Sequence, residues 1–167
     1  VTTELAVRSM SALSPMPPAE LRVSTALAQA YDATRNPHPD VGRPRSYPAA
    51  VQTEARQAAE AVRPFALSVG EATLREWLAV IPISVGHRLS AADVEAWLVV
   101  VAQAVGHLER GAFTRASQAQ ALRTFKSFPS AAHIYEILAP AAVEIRQRLR
   151  TLERIAEAPT LEANAPC

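Results

Sequence analysis

Toward the C-terminus, Tyr135, Leu138, Ala142, Ile145, Leu149, Leu152 and Ala156 recur at alternating intervals of three and four residues. A helix gathers that spacing on one face, whereas a strand of period two would scatter it over both. Three such heptads make a helix long enough to organise a small domain, or to dock a partner helix. Shorter stretches repeat the pattern. Val23, Ala26, Leu27, Ala30 and Tyr31 stand at i, i+3, i+4, i+7 and i+8, which predicts a one-faced helix opened near Pro18 by proline in its first turn. An alanine-rich helix is expected from Ala49 to Arg63, stopped by Pro64. Another follows from Glu71 to Ile81, with Leu74, Trp77, Leu78 and Ile81 as its apolar stripe.

Ser90 followed by Asp93 reads as an N-cap with an acidic residue at N3, opening a helix over Ala91 to Leu108. Val94, Trp97, Leu98, Val101, Val105 and Leu108 share one face, yet Val99 and Val100 lie elsewhere. Apolar side chains nearly all round predict the central, buried helix of a bundle. Gly111 ends that region, and Thr114 caps a shorter helix to about Phe125. Pro129 then breaks the chain before Ser130 caps the last helix, in which Pro140 is expected to introduce a kink.

With five glycines and few aromatics in 167 residues, the core has to be built from Ala, Leu, Val and Ile, which suits close helix packing. The fold class is therefore all-α: a small bundle of five to six helices with a long C-terminal helix. Residues 1–17 are expected to form a mobile N-terminal arm. One domain is expected over 18–158, interrupted by a Pro-rich connection at 36–48, with a disordered tail at 159–167. The formal net charge of +1 excludes a global basic field of the kind that drives non-specific nucleic-acid binding. The only cysteine, Cys167, has no internal disulfide partner, which fits a reducing, cytoplasmic setting. The longest apolar run, Ala96 to Ala102, falls far short of the ~20 residues needed to span a bilayer, so no membrane role is expected.

Little in the chain reads as catalytic chemistry. His38, His87, His107 and His133 show no metal-ligand spacing, and no H-E-x-x-H or glycine-rich phosphate loop occurs. Asp32, Asp40 and Asp93 are the only aspartates, and no G-x-S-x-G elbow supplies a nucleophile. Neither an enzyme, a metal site nor a cofactor is expected. The basic residues say more. Between Arg110 and Arg154 there are eight (110, 115, 123, 126, 146, 148, 150, 154) against three acidic ones (136, 144, 153), a local net of +5. Arg115, Arg123 and Lys126 fall within roughly a quarter turn of one another on the short helix. Arg146, Arg150 and Arg154 stand at i, i+4 and i+8 on the last. Three phosphate contacts give a salt slope of only about −3, so DNA binding through either set is weak and independent of sequence unless the protein forms a homo-oligomer.

The stretch "RTFKSFPSAAHIYEIL" (123–138) joins these two helices. Pro129 fixes a turn, and Phe128 outside the cap is placed to pack back on Ile134 as a hydrophobic staple. Burial of Phe125 and Phe128 contributes about 1.5 to 3 kcal/mol each, a structural reason for both. Taken with Trp97 in "DVEAWLVVV" and the basic "RTFK" at 123–126, "FPSAAHIYEIL" at 128–138 resembles the small helical domain of phage and prophage replicative-helicase loaders of the replisome-organiser type. The resemblance covers roughly residues 71–138. It departs from that family three residues after Ser130, where the usual acidic residue is replaced by His133. It implies a non-catalytic adaptor that binds a hexameric replicative helicase and helps deliver it to DNA. Ile145, Leu149 and Leu152 would then be the contact with helicase or a second copy, and the arginine stripe would be left for DNA.

Two other readings compete with the adaptor. In a small DNA-binding regulator, the helices from Arg115 and from Ala131 would form a helix-turn-helix. Against it, "KSFPS" is a long turn for that motif, and "AAHIYEIL" offers no Arg, Asn or Gln in its first turns to read base edges. The other is a structural, protein-binding bundle with no nucleic-acid role.

Overall fold

A computed structural model describes residues 23–35, 46–84 and 90–161. The expected arm at 1–17, the start near Pro18 and most of the 36–48 connection lie outside them. The described residues are all-α. Helices α1 (Thr25–Arg35), α2 (Ala49–Ala66), α3 (Glu71–Leu78), α4 (Val80–Ser84), α5 (Ala91–Val105), α6 (Arg115–Thr124) and α7 (Ala131–Glu157) follow in order, with a single 3-10 turn at Arg110–Ala112. Only Ala79 separates α3 from α4, so six helices of useful length remain, the last by far the longest.

Contacts divide the described residues into two compact units. Among the described residues, one comprises 65–84 and 90–145. The other comprises 23–35, 46–64 and 146–161, so that its described parts flank those of the first in sequence.

In the first unit, α3 meets α5 and α4 meets α6. The predicted stripe Leu74, Trp77, Leu78 and Ile81 is buried throughout and joins Val101, Val105, Phe113, Ile134, Leu138 and Ala142 in one core. Trp77 and Phe113, both fully buried, meet edge to face with centroids 5.9 Å apart. Burying the indole requires a partner for its N–H, which donates to the Thr114 carbonyl and Ser117 Oγ, each at 3.2 Å. The buried Gln118 amide in turn donates to the Trp77 carbonyl at 2.9 Å. Two backbone bonds, Val69 N–H to Leu108 O (3.0 Å) and Arg110 N–H to Leu67 O (2.7 Å), tie the entry of α3 to the exit of α5. They also explain why α5 ends at Val105 rather than Leu108: the chain turns at Gly106 to reach this pairing.

The predicted caps at Ser90 and Thr114 are present. Ser90 and Asp93 form a complete capping box at α5, and Thr114 forms one with Ser117 at α6. The burial of α5 differs from expectation. Only Val101 and Val105 are buried, while Val99 is 48% and Val100 57% exposed. α5 is thus a peripheral helix, packed along one side, and not the centre of the bundle.

In the second unit, Leu27 and Ala30 of α1, Val51, Ala55, Ala58, Ala59 and Val62 of α2, and Leu152 and Ile155 of α7 are buried. α1 starts at Thr25, where Ser24 Oγ accepts the Leu27 N–H at 3.2 Å, so a serine cap and not a proline opens the described helix. Val23 and Ala26 are exposed, leaving Leu27 and Ala30 as its buried face. Pro64 does not stop α2, which continues to Ala66. A proline in the last turn forfeits its own amide but leaves those of the following residues free to bond. Tyr47 exchanges backbone bonds with Pro159 (3.0 Å) and Leu161 (2.9 Å), and Gln52 reaches the Ala158 carbonyl at 2.6 Å. Residues 159–161 of the predicted disordered tail are therefore held in place.

α7 contains Pro140 within a continuous helix. Its buried face is Ile134, Leu138, Ala142, Ile145, Leu152 and Ile155, with Tyr135 41% exposed. The true stripe begins one residue earlier than the predicted one and ends one earlier.

Candidate functional site

The residues that carry the resemblance come together on the first unit. Trp97, half-buried on α5, donates its indole N–H to the Pro129 carbonyl at 2.9 Å. Its ring lies 4.7 Å from that of Phe128 at a tilt of 55°. With Ser130 as N-cap, Pro129 takes the N′ position, so Phe128 stands one residue outside the register of the staple expected with Ile134. Pro129 is buried, Phe125 is half-buried, and Ser130 caps α7 by accepting the His133 N–H at 3.3 Å.

Beside this junction lies a hollow of about 380 Å³, lined by Thr124, Phe125, Lys126, Ser127, Pro129, His133, Glu136 and Ile137. Its rim is mixed in charge. A second hollow, of about 420 Å³, opens between α3 and α5 and is lined by Val69, Leu74, Leu78, Leu98, Val99 and Ala102 among others. Arg75 stands at its edge and bonds Glu71 at 3.0 Å and Glu95 at 3.2 Å. Those two carboxylates raise the Arg75 pKa above its ordinary value. The pairs are exposed, so their worth for stability is small. Val99, itself part of this lining, is also exposed, and so is the next residue on α5, Val100.

The predicted contact residues Ile145 and Leu152 are buried and Leu149 is half-buried, so self-packing takes up most of that face. Ile145 approaches the buried Gly111, where an added Cβ would sit 2.7 Å from Ile145 Cδ1 and 3.0 Å from Phe65 Cβ. This crowding is why a glycine stands there.

Of the predicted basic residues, Arg115, Arg123 and Lys126 belong to the first unit and Arg146, Arg150 and Arg154 to the other. Arg123, Lys126, Arg150 and Arg154 are exposed, whereas Arg115 and Arg146 already engage other groups. Among the described residues no group of three or more His, Cys, Asp or Glu is placed to hold a metal ion, and no helix is long and apolar enough to cross a membrane. Sequence reasoning missed the α3–α5 hollow. The available signal was the surplus of apolar residues on α5, read as burial instead of surface. Compared with protein-family models, curated proteins and solved structures, the chain matches none of the three.

Proposed function

We propose that the protein is a non-catalytic, protein-binding adaptor of DNA replication, phage or prophage encoded, whose partner is a replicative helicase. The observation that carries the protein-binding part is the exposed pair Val99 and Val100 on a well-capped helix, of which Val99 lines a hollow of about 420 Å³. Exposed apolar side chains at a groove suit the side chains of a docked partner segment. The replication part rests on the resemblance carried by Trp97, "RTFK" and "FPSAAHIYEIL", and the direct Trp97 contact with Phe128 and Pro129 supports reading them as one unit. The proposed setting is the cytoplasm. Arg123 and Lys126 add weak, salt-sensitive contact with DNA and no sequence preference.

The test is co-purification with a replicative helicase, using the unaltered chain and Val99→Asp or Val100→Asp. A complex lost in either variant, with helical circular dichroism unchanged, supports both parts. A complex that survives both substitutions moves the contact off α5. If the folded unaltered chain makes no complex, the helicase assignment fails and a protein-binding bundle without a replication role is left.

A further inference from the structure

The first turn of α7 is closed in an uncommon way. In a capping box, the N-cap hydroxyl accepts the N3 amide and the N3 side chain accepts the N-cap amide, a task usually given to Glu or Gln. Here N3 is His133. Its amide donates to Ser130 Oγ at 3.3 Å, and the Ser130 amide donates to His133 Nδ1 at 3.4 Å. Only an imidazole with a lone pair on Nδ1, the neutral ring carrying its proton on Nε2, accepts that second bond. The boxes at α5 and α6 use Asp93 and Ser117, side chains that remain acceptors through mild acid.

A histidine changes charge within the physiological range. Protonation at Nδ1 sets a donor against the Ser130 donor and puts a positive charge at the positive end of the helix dipole. The groups that share the hollow with the ring are Thr124 and Phe125 from the end of α6, Lys126 and Ser127 from the loop, and Glu136 and Ile137 from α7. Phe125 stands with its ring centroid 6.3 Å away. Of these groups, Lys126 and Glu136 are the charged ones, one of each sign. Ser130 directly follows Pro129, whose carbonyl holds the Trp97 indole.

We propose that His133 is a pH-sensitive latch on the start of α7. Neutral, it closes the capping box and fixes the Phe128–Pro129 turn against Trp97. Protonated, it opens the box and loosens that turn. The device is independent of which partner the protein binds.

The experiment follows amide and indole resonances of the uniformly ¹⁵N-labelled full chain from pH 8 to pH 5. The Ser130 amide and the Trp97 indole N–H are expected to shift along one titration curve, with neutral His133 carrying its proton on Nε2. His133→Glu, which keeps an acceptor at N3, is expected to abolish both shifts, and His107→Gln to retain them. His133→Asn serves as a second acceptor variant should the glutamate disturb the fold. Resonances that stay still in the unaltered chain, that move equally in the N3 variants, or a neutral His133 protonated on Nδ1, would overturn the latch.

Discussion

The indole N–H of Trp97 reaches the carbonyl of Pro129, 32 residues further along the chain, at 2.9 Å. One bond thereby fixes the long connection between α6 and α7 to the side of α5. Trp97→Phe removes this bond and keeps a ring against Phe128. A net cost of about 1 kcal/mol is expected, read as a lower urea midpoint with an unchanged slope. A change in the slope instead would mean that the contact sets the compactness of the unit.

Gly111→Ala places a methyl against Ile145 Cδ1 and Phe65 Cβ. Overpacking of this kind costs roughly 1 to 3 kcal/mol. The Ile145 terminus is the movable neighbour, so Gly111→Ala combined with Ile145→Val is expected to recover part of the loss in thermal melts. Simple additivity of the two costs would place the conflict at Phe65.

Val99→Asp and Val100→Asp change exposed positions and are expected to leave stability within about 0.5 kcal/mol. Ile145→Asp buries a carboxylate in a site 6% exposed and is expected to cost roughly 3 kcal/mol or more. Chemical denaturation of the three variants separates surface from core. Equal losses in all three would show that α5 is packed on both sides.

Glu54 accepts the Ser24 amide and hydroxyl, each at 2.6 Å. Those two bonds, the hydroxyl first, hold its carboxyl below the ordinary value. A lowered folded-state pKa means that the contribution is complete above the unfolded value, near 4.3, and is lost as pH falls through the folded one. The N-terminus of α1 is thus expected to loosen only in acid below that range. Glu54→Gln is expected to remove this part of the pH dependence, as followed by the Ser24 amide resonance.

Local signals were legible wherever one short stretch decides the outcome. Ser90 with Asp93, Thr114, and the stripe from Leu74 to Ile81 all depend on neighbours within a turn or two. What was not legible depends on distant partners. Val99 and Val100 look like core residues because hydrophobicity reports affinity for apolar surroundings, not whether a neighbour exists to provide them. The Trp97–Phe128 contact has no periodicity to announce it, and His133 escapes the usual capping pattern because that pattern is written for carboxylates and amides. Pro64 misled for a related reason, since its effect depends on how few carbonyls remain beyond it.

The second unit also sets an order of events during synthesis. Among the described residues, the first unit lies wholly within 65–145, so its core residues are all made before Leu152 and Ile155. The strand of chain that precedes 65–145 has to wait for Leu152, Ile155 and the Pro159–Leu161 segment that bonds Tyr47. α1 and α2 are therefore synthesised before 65–145, and the Leu152, Ile155 and Pro159–Leu161 part of their unit only after it.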